Sequence, residues 1–377
     1  MPQDLESAVL RPRDAADVAE IVAGAHRPLE PVGGGSKRAI GQPVQADLLN
    51  LAGLAGIVTY EPAELVLTAR AATPLAVLDA ALSAHAQRLA FEPPDFCAVL
   101  GVHGEQTIGG VLGANLAGSR RVAAGAARDH FLGFNAVSGR GERFKAGGKV
   151  VKNVTGYDLP KLLAGSWGTL AVLTEVTLRV TPTAELDRTL VLASTTPAAS
   201  VAILSAALGS PHDVSAAGFD PARGSLLRIE GFGPSVVART DALCAELRVT
   251  PAEVIDGVAS RQLWHAHASA EVLAASPVVW RISVPPGDAP AVLGQLRPQR
   301  YLLDWGGGLI WAGFDVLDAA GVRSAFDAGH ATLIKAPVAD RAVTAVFQPQ
   351  APVAAAVGTR LKAAFDPRGI LNPGRMG

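Results

Sequence analysis

Apolar positions along the first half of the chain alternate between a helical and a strand rhythm. Val18, Ile21, Val22 and Ala25 recur at helical spacing behind Asp14, which is placed to cap, so a helix is expected from there to about His26. A short strand at Leu29–Val32 runs into Gly33, Gly34 and Gly35. Further strands are expected near Asp47–Leu51, Ile57–Tyr60 and Leu65–Arg70. Thr73 and Pro74 then open a helix with Leu75, Leu78 and Leu82 on one face. Glu92–Asp95, with two prolines, reads as an irregular turn. Phe131–Ser138 and Glu142–Lys145 read as a hairpin around Gly139 and Gly141. Leu170–Val180 alternates as a long strand.

The pattern changes after Pro182. Strand, helix, strand, strand, helix and strand follow from Leu186 to about Thr250, and the same order returns from Val278 to Ala336. In the second unit the middle strands are Gln299–Asp304 and Leu309–Phe314, around Gly306–Gly308. Two ferredoxin-like βαββαβ units side by side predict an α+β domain with an antiparallel sheet. A helix from Val353 to Phe365 and the segment DPRGILNPGRMG close the chain. The expected division is 1–183, 184–350 and 351–377, the last piece returning to the first domain.

Composition narrows the function classes. Among 377 residues, 49% are hydrophobic and 18% charged, which is a globular composition with room for a sizeable core. The 33 basic and 34 acidic residues leave a net charge of -1, so no nucleic-acid footprint is expected. Cys97 and Cys244 are too few and too far apart for an iron–sulfur cluster or a structural zinc site, and no metal is expected. Asp4, Glu6, Arg11 and Arg13 stand where a secretory signal would be apolar. No run of about 20 apolar residues is present to span a bilayer. A cytoplasmic protein is expected, with any contact to the inner membrane made peripherally through partners.

Three segments carry candidate chemistry. The first is PVGGGSKR, from Pro31 through Val32, Gly33, Gly34, Gly35, Ser36 and Lys37 to Arg38. A loop that turns several N–H groups toward one diphosphate needs glycine where side chains would block the approach, and Ser36 adds a hydroxyl. An ordinary glycine-rich turn reads the same way. The second is TIGGVLGANLAG, with Thr107, Gly109 and Gly110 at a short helix start and Asn115 beyond it. It suits either an anion at a helix N-terminus or a tightly packed helix pair. The third, Gly156–Val180, joins a short helix, a turn at Gly165–Gly168 and a strand. Competing nucleotide motifs fail: Gly148 and Lys149 are followed by Val150, not Ser or Thr, and no G-x-G-x-x-G with a following acid has the required spacing.

In this order and separation the segments resemble the FAD-binding fold of the vanillyl-alcohol oxidase family, the PCMH type. ARDHFLGFNAV (Ala127–Val137) and the tail FDPRGILNPGRM (Phe365–Met376) resemble that family's intervening segment and C-terminal signature. The resemblance covers about Leu5 to Thr183 plus the tail. It implies a two-subdomain FAD-binding fold with an α+β cap. It also implies that the glycine loop and the Thr107–Gly110 segment meet the cofactor pyrophosphate, that the turn and strand at Gly168, Thr169 and Val172 close the pocket, and that Asn372 reaches the flavin region. Within the family, KVVKNVTGYDLPKLLAGSWGTLAVLTEVTLRV (Lys149–Val180) is most similar to FAD-binding subunits of glycolate oxidase complexes. WRISVPP (Trp280–Pro286) and DWGGGLIWAG (Asp304–Gly313) are similar over shorter stretches. Family members with covalent flavin often carry histidine directly after the first glycines. Here that residue is Ser36, so non-covalent FAD is expected.

Oxidation of a hydroxy acid needs a hydride acceptor, a base near neutrality and a cation for the carboxylate. His265 and His267 in WHAH are candidate bases and Arg281 in WRISV is the candidate cation. Trp280, Trp305 and Trp311 are candidates to flank a ring. Each has a bland alternative as a surface, ion-pairing or core residue. The histidine-rich metal segment of related catalytic subunits is missing. The expected function is therefore an FAD-binding subunit of a glycolate (2-hydroxy acid) dehydrogenase complex, beside a larger flavin subunit and an iron–sulfur subunit. A self-sufficient FAD-dependent oxidase of a small alcohol or hydroxy acid, and a structural subunit keeping FAD for stability, stay open.

Overall fold

The computed structural model describes residues 7–148, 157–193 and 196–376. The Lys149–Gly156 part of the Lys149–Val180 stretch lies outside the described residues. Strands are numbered in chain order. A small parallel sheet has the order β1 (Val9–Leu10), β3 (Asp47–Asn50), β2 (Leu29–Val32). The helix Ala15–Gly24 packs Val18 and Val22 onto it, and the Asp14 carboxylate accepts from the Ala16 and Asp17 N–H groups at its start. β2 runs straight into the glycine loop, so this sheet fixes where the loop begins.

A second, antiparallel sheet contains β4 (Ile57–Glu61), β5 (Val66–Arg70), β9 (Ala171–Pro182), β7 (Phe131–Ser138) and β8 (Arg143–Gly147) in that order, with β6 (Gln87–Leu89) paired to the far end of β9. The helices Leu75–Ser83 and Ile108–Ala114 cover one face. Leu78, Leu82, Ile108, Val111 and Leu112 meet Leu67, Phe134, Val176 and Leu178 in one core.

The third sheet has eight strands, all antiparallel. Its first half is β10 (Leu186–Leu192), β11 (Val214–Asp220), β12 (Gly224–Gly231) and β13 (Glu253–Asp256). Its second half is β14 (Val278–Ser283), β15 (Arg300–Asp304), β16 (Leu309–Phe314) and β17 (His330–Lys335). The spatial order β13-β10-β12-β11-β15-β16-β14-β17 places two mirror-ordered βαββαβ units edge to edge, joined where Phe219 pairs with Leu303. This is the α+β architecture expected from the pattern.

Alternation decides what each face of this sheet does. Val278, Trp280 and Ile282 turn to one side and join a core closed by the helices Pro197–Gly209, Gly233–Leu247 and Ala289–Leu296. Val279 and Arg281 turn to the other side. There Leu302, Leu309 and Trp311 meet Ile40, Phe96 and Val99 from the first half of the chain. The opposite face of the cap sheet is thus the interface between the two halves. Polar contacts reinforce it. Arg88 and Arg120 pair with Glu230 at 2.7 and 2.8 Å, Ser119 Oγ donates to Asp304 Oδ2 at 2.6 Å, and Arg341 Nη1 donates to the Gly41 carbonyl at 2.8 Å.

After the exposed helix Pro352–Phe365 the chain comes back to its start. Leu371 bridges Leu29, and Arg368 donates to the carbonyls of Ala23 and Gly139. No helix among the described residues is long and apolar enough to cross a membrane.

Candidate cofactor and substrate site

Three loops and the returning tail line a cavity that opens to solvent. Pro31, Val32, Gly33, Gly34, Gly35, Ser36 and Lys37 form one wall. Thr107, Gly109 and Gly110 form the second, and Gly168, Val172 and Asn372 contribute to the third. The structure therefore brings most of the sequence-derived cofactor residues together.

The glycines of the first loop have a different reason from the one the sequence suggested. A Cβ on Gly33 would overlap the Thr107 hydroxyl, and one on Gly34 would overlap the Glu105 carbonyl. These two residues are bare because the second loop lies against them, with Glu105 N–H donating to Gly34 O at 2.9 Å. Gly35 sits at φ +77°, where a side chain is strained. With the carbonyl side used in packing, the N–H groups of Gly33, Gly34 and Gly35 have no acceptor among the described residues. Ser36 beside them is buried. Lys37 is buried too, and its Nζ donates to Gln106 Oε1 at 2.8 Å. Burial pulls its pKa down to about 8, against the opposing pull of Asp95 and Cys97. The loop thus offers free donors and a buried amine to one anion.

The helix that follows Thr107 uses its first N–H groups within the protein. Ile108 N–H is taken by Thr73 O at 3.0 Å and Gly109 N–H by Ala71 O at 2.7 Å. The Thr107 hydroxyl caps Gly110 N–H at 3.4 Å. The helix start therefore has no spare N–H for a phosphate. A Cβ on Gly109 would stand 2.8 Å from Ala71 O, so close packing keeps that residue small.

Asn115 and Thr169, expected at the cofactor, are not on the cavity wall. Asn115 ends the helix Ile108–Ala114 in the left-handed region at φ +48°, and its Oδ1 accepts from Arg128 N–H at 3.1 Å. Thr169 donates its hydroxyl to Ser166 O at 2.7 Å and its carbonyl accepts from Lys362 Nζ at 2.6 Å. Both are framework residues. Asn372 does line the cavity. Its Nδ2 donates to Trp167 O at 2.8 Å, and its buried Oδ1 has no partner among the described residues. Free donors, a buried amine, an unpaired amide oxygen and a cradle closed by bare glycines fit a dinucleotide with a diphosphate, as FAD is.

The cap residues divide. Arg281 is 7% exposed, on the interface face of β14. Its guanidinium carbon lies 4.9 Å from the Trp305 ring and 5.9 Å from the Trp311 ring, and its Nε has no partner among the described residues. Burial, and then Arg121, pull its pKa down to about 10, with Asp304 opposing. Arg121, on the short helix Arg121–Ala124, lies 5.1 Å from the Trp305 ring. His330 is close enough for Arg281 and Arg121 to add to the burial that lowers its pKa. The sequence pattern did not single out Arg121 or His330, because only the fold brings them to Arg281.

His265, the expected base, lies away from this cavity. It is exposed on the helix Gly257–Ala268 and lines a separate groove with Trp264, Phe91 and Glu92. His267 is buried and bonds Leu303 O at 3.0 Å. Trp280 points into the helix-covered core with Arg323 over its ring, so Trp305 and Trp311 alone flank Arg281. Among the described residues no group of three His, Cys, Asp or Glu side chains could hold a metal ion.

Comparisons with known proteins agree with this geometry. The family described as FAD binding domain matches residues 7–147. The glycolate oxidase subunit GlcE of Escherichia coli is 36% identical over 93% of this chain and 92% of its own. The glycolate oxidase subunit GlcD of Bacillus subtilis is 32% identical over 50% of this chain and 40% of its own. A solved structure of alkyldihydroxyacetonephosphate synthase superposes with a TM-score of 0.68, at 16% identity, over 97% of this chain and 76% of that one, and so shares the fold.

Proposed function

The chain belongs to the family of the glycolate oxidase subunit GlcE, a family of FAD-binding oxidoreductases, and from that premise we propose that it carries non-covalent FAD in a complex oxidising glycolate or a related small 2-hydroxy acid. The observation that carries the reading is the first loop. Gly33, Gly34 and Gly35, whose N–H groups have no acceptor among the described residues, line a cavity together with Ser36 and Lys37. Bound FAD supplies the acceptor for two electrons. The protein's own residues position it. The first loop neutralises the diphosphate, Val172 and Gly168 close the wall, and Asn372 offers an acceptor for an N–H or hydroxyl. Ser36 in place of histidine supports attachment without a covalent bond.

The complex would include a GlcD-like larger flavin subunit and an iron–sulfur subunit. Two distant cysteines give this chain no cluster of its own, so one-electron transfer onward requires such a partner. Any membrane contact would come through those partners. Arg281 supports a second reading, in which this chain also binds the substrate. Buried and unpaired between Trp305 and Trp311, it suits a carboxylate arriving at the interface.

Anaerobic addition of glycolate to the purified yellow protein tests both. Slow, incomplete bleaching that becomes rapid when the complex is reconstituted is expected. Rapid bleaching of the isolated chain would instead establish a self-sufficient oxidase.

A further inference from the structure

The C-terminal tail meets the first loop at the cavity, which Arg375, Glu30 and Arg38 line together with the glycines. Arg375 is 6% exposed. Its Nη1 donates to Glu30 Oε1 at 3.1 Å, and its Nη2 donates to Arg38 O at 2.9 Å and lies 3.5 Å from Lys37 O. Glu30 also receives Arg38, through Nη2 at 2.6 Å. Further bonds hold the tail. Asn372 N–H donates to Leu29 O, Gln42 N–H donates to Arg375 O, and Lys362 Nζ joins Leu371 O to Thr169 O. One short segment therefore ties β2, the loop that follows it and the Gly168 turn.

We propose that Arg375 is a positioning residue for the cofactor, tying the carbonyls of Lys37 and Arg38 to Glu30 and so fixing the course of the first loop along the cavity. This rests on the FAD reading above. A loop keeps its N–H groups available to a ligand only while its buried carbonyls are satisfied by other groups. Arg375 does this from the last turn of the chain, so tail docking and cofactor binding share one equilibrium. Electrostatics point the same way. Arg375 is buried beside Arg38 and Arg341, with Glu30 as the balancing carboxylate, and burial first, then Arg341 and Arg38, lower its pKa. An anion in the cavity relieves that excess of positive charge.

The test compares FAD titrations of apoprotein for the wild type, Arg375→Met and Arg375→Lys, beside the melting temperature of each apoprotein. Arg375→Met should weaken FAD by about tenfold or more, near 1.4 kcal/mol. Arg375→Lys, which can still reach Glu30 but not both carbonyls, should recover part of that affinity. A merely structural arginine would lower the apoprotein melting temperature and leave FAD affinity unchanged, which overturns the proposal. Hydrogen exchange on the wild type decides the matter even if the variant does not fold. Amides of Leu371–Arg375 should gain protection when FAD binds, and equal exchange with and without FAD overturns the proposal. Failure of the wild type to bind FAD would instead defeat the reading on which it rests.

Discussion

Two glycines and one arginine carry the sharpest consequences of single atoms. Gly34 has the Glu105 carbonyl where its Cβ would be, so Gly34→Ala must push the two loops apart. Overpacking of that kind costs about 1–3 kcal/mol and tilts the N–H groups away from the cavity. FAD retention after gel filtration should fall sharply. Gly24 ends the helix Ala15–Gly24 with open space around it, so Gly24→Ala should be neutral or stabilise by about 0.5–1 kcal/mol, with FAD unaffected. Equal behaviour of the two variants would show that the loop contact does not matter. Arg281 makes a different prediction. Removing one member of a buried ion pair costs about 3–5 kcal/mol, but Arg281 has no such partner among the described residues, only aromatic faces. Arg281→Met should therefore stay within about 1 kcal/mol of the wild type in denaturant unfolding and keep FAD. It should lose the flavin spectral change caused by glycolate. A collapse in stability would make Arg281 a structural residue.

The elements were largely legible because their periodicity is strong. Trp280 and Arg281 show how far that goes: alternation put them on opposite faces of β14, but only the helices packed on one side decided which faced the core. The pairing of Phe219 with Leu303, which fuses two units into one sheet, left no local signal. Asn115 and Thr169 were drawn into the site by their motifs. Their side chains serve a helix end and a turn, chemistry that looks the same in sequence as ligand binding. Glu30, Arg120, Glu230 and Arg375 were invisible because their partners are far away in the chain. Glu230 on β12 is the clearest case. Burial alone would raise its carboxyl pKa, but Arg228, Arg120 and Arg88 hold it at about 2. A folded-state pKa below the unfolded value stabilises at neutral pH, and that contribution disappears as pH falls from about 4.5 toward 2. Glu230→Gln should cost on the order of 3 kcal/mol at pH 7. The gap to wild type should close over that acidic window, and a gap that did not change with pH would show that the carboxylate charge is not its source.

At the scale of the whole molecule, the first half of the chain holds the cofactor loops and the cap brings Arg281, Trp305 and Trp311 against it. Arg88, Arg120, Glu230, Ser119 and Asp304 fasten the halves together, and the tail closes the ring back to β2. Everything in this arrangement turns on what fills the cavity beneath Gly33–Lys37. The direct measurement is the absorption spectrum of the purified chain, followed by heat denaturation and identification of the released cofactor. The account predicts a flavin spectrum and one FAD per chain, freed by denaturation alone because Ser36 offers no covalent link. A folded, colourless protein that takes up no added FAD would contradict it.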